Sequence, residues 1–242
     1  MKRIFDFCLS FFGLIILSPL LFFFSILIWL QDLKNPFYVA DRIGKNEKPF
    51  KMIKFRSMIV NAHKSGVDST ASDDNRITSI GRVVRKFKID EIPQLFNVLK
   101  GEMSFVGPRP NVERETKMYS LVEKKILSVR PGITDFSSIV FSDEGEILMG
   151  SKDPDLKYNQ IIRPWKSRLA LIYIDRQNLF LDIKIIFWTL FAIINKKKVL
   201  KNITNFLIRI KSDSLLIEIS KREEELVPCP PPGFKDIISK RE

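Results

Sequence analysis

The sequence predicts an α/β fold, mostly helical, in which an N-terminal helix hairpin dips into a membrane and amphipathic helices lie at the interface around a small sheet. Three observations carry that expectation. Residues 7–31 hold no charge, and Ser18-Pro19 stands at the middle of that run with basic residues beyond both ends. After it come short alternating apolar pieces between turn signals, and from about Pro154 the apolar residues follow helical spacing.

A chain of 242 residues, 45% hydrophobic and 28% charged, has room for one ordinary domain with a buried core. It is too apolar for disorder and too charged for a polytopic membrane protein. Lys and Arg number 40 against 28 Asp and Glu, a formal +12 that suits phosphorylated substrates, an anionic membrane surface or nucleic acid. Two cysteines, Cys8 and Cys229, exclude a disulfide framework and a Cys-rich zinc site and point to a reducing compartment. The one histidine, His63, falls in a polar loop and is expected on the solvated surface, so acid and base chemistry is left to carboxylates.

Taking the elements in order, the first apolar run is too long for a cleavable signal and continues through Trp29-Leu30. Hydropathy alone makes it a spanning helix, since residues 7–31 as a helix would cross the roughly 30 Å hydrocarbon core. Pro19 opposes this by removing a helical hydrogen bond. So do Lys2 and Arg3 before the run and Lys34, Arg42 and Lys45 after it, which place both ends in the cytoplasm. Residues 1–33 are therefore expected to form a re-entrant segment broken at Ser18 and Pro19.

Asn35 to Arg56 reads as a β-hairpin and residues 61–75 as a polar loop. Helices are expected over Ile80–Lys86 and Glu91–Leu99, the second capped by Asp90, with Pro93 in its first turn and a stop at Lys100-Gly101. A charged helical stretch follows Pro110 to about Ser128, then strand-like residues Ile139 to Phe141. The apolar residues 185–194 are too few to span and read as either a core helix or an interfacial one. Residues 199–242 read as a basic amphipathic and Pro-rich tail, loosely ordered around Pro228 to Gly233. Asn202-Ile203-Thr204, a glycosylation pattern, is a chance match among lysines.

Between Lys54 and Arg130, basic residues stand beside glycines and prolines with one adjacent acid pair, Asp90-Glu91. Such a pair at a helix start is ordinarily a cap, and lone arginines are ordinarily surface. The wording is more specific. Lys54-Phe55-Arg56-Ser57-Met58, Arg85, the run from Asp90 through Gly107-Pro108-Arg109-Pro110, and Arg130-Pro131-Gly132-Ile133-Thr134 together closely resemble the bacterial sugar transferase family, over about residues 2–198. These are monotopic phosphoglycosyl transferases.

The resemblance implies a catalytic domain over residues 34–198. It implies transfer of a phospho-sugar from a nucleotide diphosphate sugar, usually UDP-linked, to polyprenol phosphate with release of UMP, starting surface glycan synthesis at the cytoplasmic face of the bacterial inner membrane. Asp90 would be the nucleophile and a ligand to Mg2+, and Glu91 its assisting neighbour. Arg85 and Arg109 would clamp phosphate, with Lys54, Arg56 and Arg130 as further substrate-binding residues. Partners would be the nucleotide sugar, polyprenol phosphate and membrane lipids, with a homo-oligomer left open. The resemblance breaks after Thr134, where many relatives continue Gly-Trp-Ala-Gln and this chain has Asp135-Phe136-Ser137-Ser138. The rival reading is a membrane-anchored basic binding or scaffolding protein without catalysis. Nucleic acid is not an expected partner, because the basic residues lack an aromatic platform or recognition helix.

Overall fold

The computed structural model describes residues 1–240, with His63 and Lys64 described by backbone only, so the surface position expected of the His63 side chain lies outside the described residues. Helix α1, Lys2–Leu30, runs 29 residues without a break. The structure does not show the break expected at Ser18-Pro19, and the reason is local. Pro19 has no N–H for the Ile15 carbonyl four residues back, and the Ser18 hydroxyl donates to that same oxygen at 2.8 Å.

Helix α1 is long and apolar enough to cross a membrane, yet both of its ends are fastened to one globular body. Lys2 Nζ donates to the Asp182 carboxylate at 2.6 Å, the Val106 carbonyl at 3.0 Å and the Tyr173 hydroxyl at 3.1 Å. Arg3 donates to the carbonyls of Val98 and Leu99, and buried Asp6 accepts from the Phe105 N–H at 3.1 Å. At the other end Phe24 and Ile28 pack on Phe55 and Val84. Just beyond, Asp32 accepts from both arms of Arg56.

Strands β1, Phe37–Ile43, and β2, Pro49–Phe55, form the expected hairpin, antiparallel from Phe37 opposite Phe55 to Ile43 opposite Pro49. Its inner residues Ala40, Phe50 and Met52 pack with Val98 and Met103. Helix α2, Ser79–Lys86, is capped by Thr78, whose hydroxyl accepts from the Gly81 N–H. A 3-10 turn, Ile89–Glu91, leads into α3, Gln94–Lys100, which stops where expected at Gly101, φ +90°. Strand β3, Ser104–Val106, pairs in parallel with β4, Gly132–Thr134, so the small sheet is two separate two-stranded pieces. Where they meet, a Cβ on Gly132 would lie 2.1 Å from the Gly107 nitrogen. Only glycine permits that approach, which aims the following Arg109 loop.

After α4, Glu113–Lys117, residues Ile139 to Phe141 depart from the strand expected of them. Ile139 and Val140 lie in helix α5, Phe136–Val140, because Asp135 caps it by accepting from the Ser138 N–H. The helical remainder is α6, Glu144–Leu148, α7, Pro154–Ile161, α8, Arg163–Arg176, α9, Leu179–Arg209, and α10, Ser214–Lys221. Helix α9 turns at Asn195 (φ −144°, ψ 80°), whose side chain accepts from the Lys198 N–H.

From residue 199 onward the expected amphipathic segment packs on the body of the protein. Val199, Ile203, Leu207, Leu216 and Ile219 share one core with Phe136, Trp165, Leu169 and Ile185, so the helical spacing there turns an apolar face inward. The Pro-rich segment is not loose. Cys229 N–H donates to the Gln160 carbonyl, and the carbonyls of Pro230 and Pro232 accept from Arg168 and Ser120. Residues 185–194 divide between both readings. Ile185 and Trp188 are buried, while Phe187, Leu190, Ile193 and Ile194 are exposed.

Candidate active site

Several elements deliver side chains to one cleft of about 870 Å3. Lys54 comes from β2, Arg85 from the last turn of α2, Asp90 and Glu91 from the turn before α3, and Arg109 from the loop after β3. Lys88 takes a left-handed conformation (φ 57°, ψ 21°) that reverses the chain between α2 and the acid pair. The cap expected of Asp90 is not made. Helix α3 begins at Gln94, with Pro93 at its N-cap position and no side-chain cap, and Asp90 lies within the preceding 3-10 turn.

The two acids stand in opposite environments. Asp90 is 7% exposed, and its Oδ1 is buried without a hydrogen-bond partner among the described residues. Burial, and after it the neighbouring Glu91, push its carboxyl above the ordinary aspartate range. Glu91 accepts from Arg109 Nη2 at 2.6 Å and Nη1 at 3.0 Å and lies 3.6 Å from Lys54 Nζ. Burial would push it up, but Arg109 and then Lys54 outweigh that and hold it well below its usual value. Lys54 is drawn down by burial despite Glu91, and Arg109 is raised because Glu91 overcomes its burial. One carboxylate is thus pinned between two cations, and the other is buried beside them with an oxygen that has no partner among the described residues.

Arg109 Nη1 also donates to the Ile133 carbonyl at 2.5 Å, which fixes its fork. The Arg85 guanidinium, at the cleft, makes no hydrogen bond or ion pair among the described residues and is available. Two expected residues are not brought there. Arg56 is buried, with its guanidinium taken by Asp32 and the Asn35 carbonyl, and Arg130 is exposed and donates to the Gly101 carbonyl at 2.8 Å. They fasten the chain around the site.

Sequence reasoning missed part of the lining. Arg42, Arg82 and Lys88 add positive charge, while Leu17, Ile92 and Leu95 form an apolar side. Away from both stand Glu115, Ser138, Glu144 and Tyr158. Glu115, in a charged run that reads as a solvated helix face, is 9% exposed, and burial pushes its carboxyl up to about 7. For a hard divalent cation, the described residues offer no group of three or more His, Cys, Asp or Glu. They offer one fully buried carboxylate oxygen without a partner, Asp90 Oδ1. That fits an ion such as Mg2+, which keeps waters and takes further ligands from substrate phosphates.

The profile of the bacterial sugar transferase family matches residues 1–196. A Bacillus subtilis protein provisionally named an undecaprenyl-phosphate N-acetylgalactosaminyl 1-phosphate transferase is 49% identical over 109 residues, 45% of this chain and 61% of that one. The UDP-glucose:undecaprenyl-phosphate glucose-1-phosphate transferase of Klebsiella pneumoniae is 34% identical over 199 residues, 81% of this chain and 40% of its own. A sugar transferase of B. subtilis without a characterised activity is 34% identical over 186 residues, 77% of this chain and 83% of its own. The chain thus spans under two thirds of the first two relatives. The sugars in those two names differ, and the lipid phosphate is the same.

Proposed function

Because this chain belongs to the bacterial sugar transferase family, we propose that it transfers a phospho-sugar from a UDP-sugar to undecaprenyl or a similar polyprenol phosphate, releasing UMP, through a covalent intermediate on Asp90. The observation that carries this reading is Asp90 itself, a buried carboxylate with an unpartnered oxygen, in a cleft shared with Lys54, Arg85 and Arg109.

An Asp90 oxygen attacks the sugar-bearing phosphorus, and the bond from that phosphorus to the bridging oxygen breaks, so UMP leaves with the electron pair. Polyprenol phosphate then attacks the acyl phosphate through one of its own oxygens, giving polyprenyl diphosphate sugar and returning the Asp90 carboxylate. With the acceptor as a dianion, no net proton is taken up. Arg85 supplies a free planar fork for phosphate, and Glu91 serves by holding Arg109 and Lys54 at the same place. Asp90, with substrate phosphate oxygens, would hold Mg2+, which when bound neutralises charge on the diphosphate.

The apolar side of the cleft, which includes Leu17 of α1, suits the polyprenol, and the exposed apolar face of α9 suits a lipid surface. Attachment of both ends of α1 to one body supports a chain that enters and leaves by the cytoplasmic face of the inner membrane. The test is incubation of the purified protein with UDP-sugars, without acceptor. A burst of UMP and a phospho-sugar adduct on the protein are expected. UMP release that requires acceptor and leaves no adduct would overturn the covalent step.

A further inference from the structure

Charge is sorted along the cleft. Cations crowd around Asp90, while Asp68, Glu115, Asp143, Glu144 and Glu146 line another stretch of its wall. Asp68, Asp143 and Glu144 are ion-paired to Arg114, to Lys196 and Arg222, and to Lys166, so that stretch offers an incoming diphosphate no free cation among the described residues, and a polyprenol is suited to the apolar side at Leu17. What remains of the substrates is neutral and rich in hydroxyls.

Glu115 is the group at that acidic end with an unmet need. It is more than nine-tenths buried, it lines the cleft, and it has no hydrogen-bond or ion-pair partner among the described residues. We infer that Glu115 recognises the hexose of the donor by accepting hydrogen bonds from its hydroxyls. This rests on the donor reading above. Asp68 and Glu144 face Glu115 with negative charge and Arg163 and Lys166 with positive charge, and burial dominates in pushing its carboxyl up to about 7. A carboxylate held so close to neutrality gains from a donated hydroxyl, which replaces the water it has lost.

Two further observations favour hexose over nucleoside. The aromatic rings at this end, Tyr158 and Phe141, are 7% and 3% exposed, and each carries a cation on its ring, Lys166 and Arg222. Neither offers a platform for a base. One acid of that wall, Asp143, is held in place from outside the family match. Asp143 is held by Lys196 at 3.1 Å and by Arg222 at 2.9 Å, and Arg222 lies beyond residue 196, where the match ends. Ser138 lines the cleft in the segment where the family resemblance breaks. Relatives share the lipid phosphate in their names and differ in the sugar, so the sugar end is where a chain departs from its family.

The experiment measures binding of UDP and of a panel of UDP-hexoses to the full chain in detergent micelles, in an Asp90→Asn background that prevents turnover. The best UDP-hexose is expected to bind at least 10-fold tighter than UDP. Glu115→Gln should remove about 10-fold of that preference and leave the UDP affinity unchanged, as one charged hydrogen bond would. Tyr158→Phe, which removes only a hydroxyl near the same carboxylate, provides a second variant should Glu115→Gln fail to fold. It should narrow the preference by a smaller factor. Equal weakening of UDP and UDP-hexose would assign Glu115 to the nucleoside and overturn the inference. So would an unchanged preference in the variants, or no preference in the parent. If the preference behaves as expected but the protein with Asp90 intact releases no UMP from any donor, the transferase reading fails and the sugar site stands.

Discussion

Asp90→Asn and Glu91→Gln remove one negative charge each from adjacent residues, and the structure assigns them opposite effects on stability. Glu91 is the shared partner of Arg109, at 2.6 and 3.0 Å, and of Lys54, at 3.6 Å, and both cations are largely buried with it. A glutamine leaves two largely buried cations without their shared partner, and removing one partner of a buried pair costs about 3–5 kcal/mol. For a chain of this length each kcal/mol moves the melting midpoint by about 2–4 °C, so a fall of roughly 6–20 °C is expected. Asp90 is the reverse case. Its charge is disfavoured by burial and one of its oxygens has no partner, so an amide of the same shape costs little and leaves the midpoint within about 2 °C or raises it.

On the proposed mechanism both variants are expected to lose transfer, Asn by losing the attacking anion and Gln by releasing Arg109 and Lys54. Activity alone therefore cannot assign the roles. The assay pairs UMP release with a fluorescence melt at a fixed scan rate, read from Trp165 and Trp188, both buried in the main core. Equal midpoint shifts in the two variants would refute the argument. A fall of more than about 5 °C for Asp90→Asn would do so on its own, because it would make Asp90 a structural partner of something it does not touch here.

Arg109→Lys conserves charge but not the fork that holds both Glu91 oxygens, and UMP release should fall by about 100-fold, whereas near-normal rates would reduce Arg109 to local charge. EDTA should abolish turnover and added Mg2+ restore it, and unchanged rates in EDTA would exclude the proposed cation. Glu115, raised from 4.5 to about 7, binds a proton in the folded state that the unfolded chain gives up. Its contribution is therefore full below about 4.5 and lost as pH rises through about 7, a swing on the order of 3 kcal/mol, so Glu115→Gln should flatten the fall in melting midpoint between pH 5 and 8. A parallel fall in the variant would place that titration elsewhere. A cysteine ahead of Met1 and another at Lys34, with Cys8 and Cys229 replaced, should both resist an impermeant thiol reagent outside intact cells and react after lysis; outside labelling of the first would mean that α1 spans.

The local signals were legible. Turn residues and alternation marked the hairpin at Asn35 to Arg56, and Gly101 marked the end of α3. Long-range pairing was not, because nothing local ties Lys2 to Asp182 or Arg56 to Asp32. Arg56 reads as one more basic residue of the motif, and only the fold shows its guanidinium taken. Glu115 failed for the opposite reason, since Glu113-Arg114-Glu115 looks like a charged helical stretch, and only the fold buries its third residue and brings Tyr158, Arg163 and Lys166 close enough to act on it. Pro19 misled because the rule that proline breaks helices omits the hydroxyl one residue earlier, which repairs the lost bond.

The unbroken α1 sharpens the question of topology. Leu17, near its midpoint, lines the cleft that holds Asp90, Lys54 and Arg85, and a Cβ on Gly13 would touch the Leu95 side chain at 3.4 Å. The middle of the helix therefore lies on the catalytic body. A perpendicular span would carry Leu17 to the bilayer centre and draw the charges around Asp90 into hydrocarbon, at several kcal/mol for each uncompensated ion. It would also part Lys2 from Asp182 or Asp32 from Arg56, since the two ends of a spanning helix lie on opposite sides of the membrane. A helix lying along the interface meets neither penalty. It keeps its Leu17 side toward the cleft and turns Phe12, Ile16, Phe22 and Phe23, all exposed here, toward lipid. In that orientation the polyprenol phosphate of the proposed reaction would reach Asp90 sideways past Leu17 and Leu95, and the proposed nucleotide sugar would come from water with its hexose toward Glu115.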